Sequence, residues 1–150
     1  MGQYVIEFKQ NPDFVLGVDD QKEGAKVVLR EKDSTVYRHA LWDLNSDSGA
    51  ITLNSSAGNL AIGSDRLDPQ AQLSLKVYNP TDEKQRWELL KKPGFILSNG
   101  DNRLCIDNDA RGTSTGNRIW LFQFNGSPAQ QWNFVSLSNR LMSTFQEAAE

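Results

Sequence analysis

Side chains able to do covalent or metal chemistry are scarce in these 150 residues: one histidine, His39, and one cysteine, Cys105. One of each cannot assemble a zinc site of Cys and His ligands within one chain. A single cysteine also excludes any internal disulfide, so the fold must stand on packing. The segment Asp107-Asn108-Asp109-Ala110-Arg111-Gly112 has the acidic start of a calcium loop. Its fifth position is Arg111 and its twelfth is Arg118, so cations stand where ligands are needed and calcium is rejected. No glycine-rich phosphate loop follows a strand. The sequons Asn54-Ser55-Ser56 and Asn125-Gly126-Ser127 carry meaning only in a secreted chain. No metal and no cofactor are expected.

Sixteen basic residues against 19 acidic give a net charge of −3. That balance argues against nucleic acid as a partner, because no basic surplus exists to displace counterions. The longest apolar run is four residues, Ile119–Phe122, so no segment suits membrane insertion. Met1-Gly2-Gln3-Tyr4 lacks the basic and apolar stretches of a signal peptide. Ile6 stands where a myristoylation signal needs Ser or Thr. The expectation is a reducing cytoplasm, or export without a signal peptide.

The elements that must position any site follow from a repeat. Trp42, Trp87 and Trp132 are 45 residues apart, and Leu16, Leu60 and Leu104 are 44 apart. Stretches beginning at Val27, Leu73 and Ile119 keep a spacing of 46. Three markers holding nearly one period define a three-fold repeat. Runs such as Tyr4–Phe8, Ala50–Leu53 and Phe95–Ser98 alternate in polarity and read as strands. Turn signals separate them, among them Asn79-Pro80-Thr81-Asp82 and Asn125-Gly126-Ser127-Pro128. About four strands per repeat give about twelve, and three blades are too few to close a propeller ring. The units close instead as a small barrel capped by three hairpins, a β-trefoil. One domain spans 1–150, with repeats at about 3–46, 47–91 and 92–136 and a tail at 137–150. The tail reads as either a short helix or a frayed end. The repeated Trp and Leu, with Val18, Ile62 and Ile106, point into the core.

Gln130-Gln131-Trp132 and Gln85-Arg86-Trp87 resemble the Gln-x-Trp signature of ricin B-type lectins, a β-trefoil family of carbohydrate-binding modules. Leu104-Cys105-Ile106-Asp107 is similar to the family's Leu-Cys-Val/Leu-Asp segment, and the resemblance runs over roughly residues 3–136. The first repeat keeps Trp42 but has Ala40 in place of the Gln. The family pattern also puts Cys105 on a buried strand, where a thiol behaves as a small hydrophobe and not as a nucleophile for His39.

The resemblance implies glycan recognition without catalysis. A carboxylate accepts from two sugar hydroxyls at once, an aromatic ring stacks on the C–H face, and an amide both donates and accepts. Carried onto the third repeat, the pattern implies a main site of Asp107, Phe122, Asn125 and Gln130, with Trp120 and Asn108 beside them. Ala129 departs from the family's Asn. Asp107 is open to a second reading as a turn cap, and Gln130 to one as a hairpin anchor. In the first repeat Asp19, Arg30 and His39 make a weaker second site without a stacking platform. The second repeat has Gly63 for the Asp and Lys76 for the aromatic, and reads as degenerate. Glycans are the implied partners, with a homodimer or a larger toxin-like assembly as the setting. The alternatives are a trefoil protease inhibitor acting through an exposed loop, and a structural trefoil without sugar binding.

Overall fold

The computed structural model describes residues 2–136, so the tail lies outside the described residues. Twelve strands follow one another, joined by loops and three-residue 3-10 turns. The first four are β1 (Gly2–Phe8), β2 (Phe14–Val18), β3 (Val27–Glu31) and β4 (Trp42–Asn45). Next come β5 (Ala50–Leu53), β6 (Leu60–Gly63), β7 (Ser74–Val77) and β8 (Trp87–Glu88). The last are β9 (Leu97–Ser98), β10 (Leu104–Asn108), β11 (Ile119–Gln123) and β12 (Trp132–Ser136). No helix among the described residues is long and apolar enough to cross a membrane.

Six strands build the barrel. β12, β1, β4 and β5 pair in antiparallel succession, and β8 pairs with β9. Two backbone bonds close the gaps: Trp87 N–H donates to Gly49 O and Trp132 N–H to Gly94 O, both at 2.8 Å. Gly49 has φ +76°, and a Cβ there would lie 2.5 Å from Trp87 O, so only glycine allows this junction. The other six strands form the hairpins β2–β3, β6–β7 and β10–β11, which cap the barrel. This architecture is a β-trefoil.

The caps interlock in a ring. Gly24 N–H donates to Leu75 O (2.8 Å), Gln70 N–H to Leu121 O (2.6 Å) and Gly116 N–H to Leu29 O (2.7 Å). At their centre the Gln72 side-chain amide donates to the carbonyls of Val27 (3.2 Å), Leu73 (2.8 Å) and Ile119 (3.0 Å). Beneath lies one continuous core containing all three repeated tryptophans. Each sends its Nε1–H to a strand carbonyl: Trp42 to Leu16, Trp87 to Ile62 and Trp132 to Ile106, at 3.0, 3.0 and 3.2 Å. A buried indole therefore fills volume and satisfies its polar atom together.

Candidate functional site

In the third repeat, Asp107, the penultimate residue of β10, lies opposite Trp120 of β11. Asp107 is only 4% exposed, yet it lines a cavity of about 440 Å³ together with Trp120, Phe122, Asn125, Arg111 and Gln70. Two donors hold its carboxylate: Trp120 Nε1–H reaches Oδ1 and Gln130 Nε2–H reaches Oδ2, both at 2.9 Å. Burial pushes the Asp107 carboxyl above the usual carboxylate range, while the bonds from Gln130 and Trp120 oppose the shift. A carboxylate fixed by one bond per oxygen keeps lone pairs free for two further hydroxyls. The indole N–H of Trp120 supplies one of the two donors that fix it.

Strand β11 lays a ladder beside this floor. Trp120 and Phe122 stack at 5.7 Å with planes 12° apart, and the Arg118 guanidinium lies 4.1 Å from the Trp120 ring centroid. With Leu121 buried on the opposite face, both aromatics share one side of the strand, as the alternation predicts. Trp120 is covered, whereas the half-buried Phe122 borders the cavity. Asn125 is exposed at the rim, where its Oδ1 accepts from Ser127 N–H at 2.9 Å and its Nδ2 is available to donate to a ligand.

Two expected contacts are corrected. Gln130 is fully buried and fully engaged: besides Asp107 it donates to Gln123 O (2.8 Å), and its Oε1 accepts from Asn125 and Gly126 N–H (2.9 and 3.2 Å). It positions Asp107 and anchors the turn, and has no surface for a sugar. Asn108 is likewise fully buried, accepting from Asn117 Nδ2 (2.7 Å) and donating to Gly112 O (2.9 Å). It braces the following loop instead of facing the cavity.

The first repeat needs a correction in register. Leu16 faces Leu29, as Ile62 faces Leu75 and Ile106 faces Leu121. Leu16 therefore matches Ile62 and Ile106, two residues beyond Leu60 and Leu104. A slip of two preserves every side chain's face, so polarity patterning cannot detect it. The counterpart of Asp107 is Gly17, and Asp19 matches Asp109. Both Asp19 and Asp109 donate their N–H across the hairpin, to Lys26 O (3.3 Å) and Arg118 O (3.0 Å). Asp19 lines a separate cavity around Lys22–Lys26, apart from Arg30.

In both of these repeats a cation's stem covers the glycine. A Cβ on Gly17 would lie 2.8 Å from Arg30 Cδ and from His39 O. One on Gly63 would lie 3.1 Å from Lys76 Cγ and 3.0 Å from Gln85 Cγ. Arg30 donates to Thr35 Oγ1 (3.2 Å) and Val18 O (3.3 Å), and Lys76 pairs with Asp65. Each alkyl stem thus occupies the place that Asp107 takes in the third repeat. Glycan binding is expected to survive Lys76→Ala unchanged, checked by titration of both proteins with one ligand. Lost binding in a folded variant would show that the second repeat takes part.

His39 sits half-buried, its Nε2 3.4 Å from Gln21 Nε2. Burial holds its pKa below the ordinary value, with Arg30 and Arg38 adding repulsion, while Asp20 and Asp19 oppose. Cys105 is buried, and burial with the nearby Asp107 charge pushes its thiol far up, so it offers no nucleophile. Among the described residues no three His, Cys, Asp or Glu side chains gather to hold a metal ion. A second cavity, about 370 Å³, lies on the barrel wall by Gln3, Asp43, Asn45, Thr52 and Tyr78. It lies outside the hairpin positions the three repeats share, and its Asp43 is held by one side-chain amide, Asn54 Nδ2.

Three kinds of comparison bear on this arrangement. No curated protein sequence matches the chain. Among solved structures, the C-half of an earthworm R-type lectin in complex with GalNAc superposes with a TM-score of 0.75 at 18% identity, covering 91% of this chain and all of that one. The designed three-fold symmetric protein ThreeFoil matches with a TM-score of 0.77 at 18% identity, over 91% of this chain and 100% of its own. The agglutinin of Abrus precatorius matches at 0.69 and 18% identity, over 89% of this chain and 46% of that one. At such identities these likenesses establish the shared fold. The model of the ricin-type β-trefoil lectin domain matches residues 4–132, which include all three repeated tryptophans, and the chain belongs to that family.

Proposed function

We propose that this chain is a lectin that binds one glycan residue, without turnover, in the cavity of the third repeat. The observation that carries the reading is Asp107, a buried carboxylate gripped by Trp120 and Gln130 at the floor of an open cavity bordered by Phe122. Of the three equivalent positions, only this one offers an acceptor for vicinal hydroxyls, since Gly17 and Gly63 hold the others. In this reading Asp107 takes two hydroxyls, Phe122 stacks on the C–H face and Asn125 Nδ2 donates from the rim. Family membership supports it, and the earthworm lectin's complex with GalNAc shows a relative holding a sugar.

Such a shallow site binds a monosaccharide weakly, near millimolar or about −4 kcal/mol. A glycan array followed by titration of the best ligand, with NMR shift mapping, tests the proposal. Shifts should centre on Trp120 Nε1–H and Asn125. Shifts centred on Asp19 and His39 would move the site to the first repeat. Absence of binding to any glycan would leave a structural trefoil.

A further inference from the structure

We infer that the third-repeat cavity selects an acidic sugar, one carrying a carboxylate or sulfate, through the guanidinium of Arg111. The inference rests on the sugar-binding reading above and concerns which sugars that site prefers. Arg111 lines the cavity and is exposed. Among the described residues it has no ion-pair partner, while the other nearby charges are accounted for. Asp109 is held by Arg118 Nε and Nη2 at 3.2 and 2.9 Å, and that same guanidinium lies on Trp120. Asp107 is committed to the floor. The rim therefore presents one cation without an ion-pair partner, above a floor carboxylate that only the neutral donors Trp120 and Gln130 hold.

The backbone shows that this placement is built. Ala110 (φ +54°) and Arg111 (φ +57°) are consecutive left-handed residues, a conformation that costs side-chain-bearing residues and favours glycine. The surrounding loop is tied from both ends: Asn117 Nδ2 donates to Asn108 Oδ1 (2.7 Å) and Asp109 O (2.9 Å), and Asn108 closes onto Gly112. A Cβ on Gly112 would lie 2.4 Å from Asn117 Oδ1, so the brace leaves no slack. In the first repeat the matching residues are Asp20 and Gln21, and neither has positive φ. In the second repeat they are Arg66 and Leu67, again without positive φ, so the strained turn belongs to the third repeat alone. A planar guanidinium matches a carboxylate or sulfate with two parallel bonds between opposite charges, a charge that a neutral sugar's hydroxyls lack.

The test titrates the full chain with lactose and sialyllactose, and with galactose and its 6-sulfate. The acidic member of at least one pair should bind about tenfold more tightly. That preference should shrink as salt rises from about 0.05 to 0.5 M. The preferred pair identifies the acid group. Arg111→Gln should abolish the preference, read as the ratio of acidic to neutral affinity within each pair. Arg111→Gly should also abolish it while raising Tm, because glycine relieves the left-handed strain. Equal affinity within both pairs, or a preference that survives Arg111→Gln, overturns the inference and leaves the sugar site standing. If Asp107→Asn leaves binding of every sugar intact, the sugar-site reading fails, and this inference fails with it.

Discussion

Replacing Trp42 by Ala is expected to destabilise the protein by about 3–5 kcal/mol, as for other buried aromatics. Trp42 has no exposed surface and packs within the single large core cluster. Three costs combine. The indole volume becomes a cavity, its apolar area loses its partners, and the Leu16 carbonyl loses the Nε1–H that reaches it at 3.0 Å. The barrel cannot collapse around the gap, since β4 is paired on both sides, to β1 and to β5. Against a total stability of order 5–15 kcal/mol, such a loss leaves a marginal fold. Urea denaturation of parent and variant measures it directly. Trp42→Phe should cost less, because it keeps most of the volume, although it leaves the buried Leu16 carbonyl without this donor at about 1–3 kcal/mol. A change under 1 kcal/mol for the Ala variant would contradict the role of these tryptophans in the core.

Asp107→Ala is expected to reduce glycan affinity about a hundredfold, beyond detection for a millimolar ligand, because two charge-assisted bonds disappear together. Its stability effect has two opposing parts. Trp120 Nε1–H and Gln130 Nε2–H lose their shared acceptor, and a buried donor left unpaired costs about 1–3 kcal/mol. Gln130 keeps Gln123 O, which softens its share. Against this, a buried charge is removed. A folded-state pKa raised by burial means that the native protein holds that proton more tightly than the unfolded chain. The group therefore favours the fold at low pH and loses that contribution as pH rises through its folded pKa. Binding runs the other way: it needs the ionised carboxylate and fades as pH falls through the same value, above the usual 3.8 of an aspartate. Isothermal titration across a pH series, with Tm recorded at each point, checks both signs. A wild-type affinity that stays flat down to the ordinary carboxylate range would show that Asp107 does not contact the ligand.

The trefoil was legible because its markers are apolar and numerous. Tryptophans at one spacing, in strands of alternating polarity, have no alternative but the interior. Asp107 and Phe122 were legible through their place relative to Trp132. The first repeat misled, because Leu16-Gly17-Val18-Asp19 has the same polarity pattern as Leu104-Cys105-Ile106-Asp107 although its register differs by two. Only the cross-strand partners, Gly17 with Val28 and Asp107 with Trp120, separate them. Gln130 and Asn108 are amides whose type allows ligand contact and bracing equally; burial decides, and burial of a polar residue depends on tertiary packing. Ala110-Arg111 carries no turn signal at all, so the left-handed pair emerges only from the Asn108–Asn117 network that enforces it.

The Gln72 amide has a consequence for how far such repeats can stay alike. Its nitrogen stands within 2.8–3.2 Å of three equivalent carbonyls, which places it close to the pseudo-symmetry axis. A point on an axis accommodates one object, while a position off it accommodates three. Three identical copies of this hairpin would bring three carboxamides to a space that holds one. The matching positions are Lys26 and Arg118, whose longer chains lead outward to exposed surface. In this chain one Gln takes that point while its counterparts turn away, and the closure point breaks the symmetry that the tryptophans preserve.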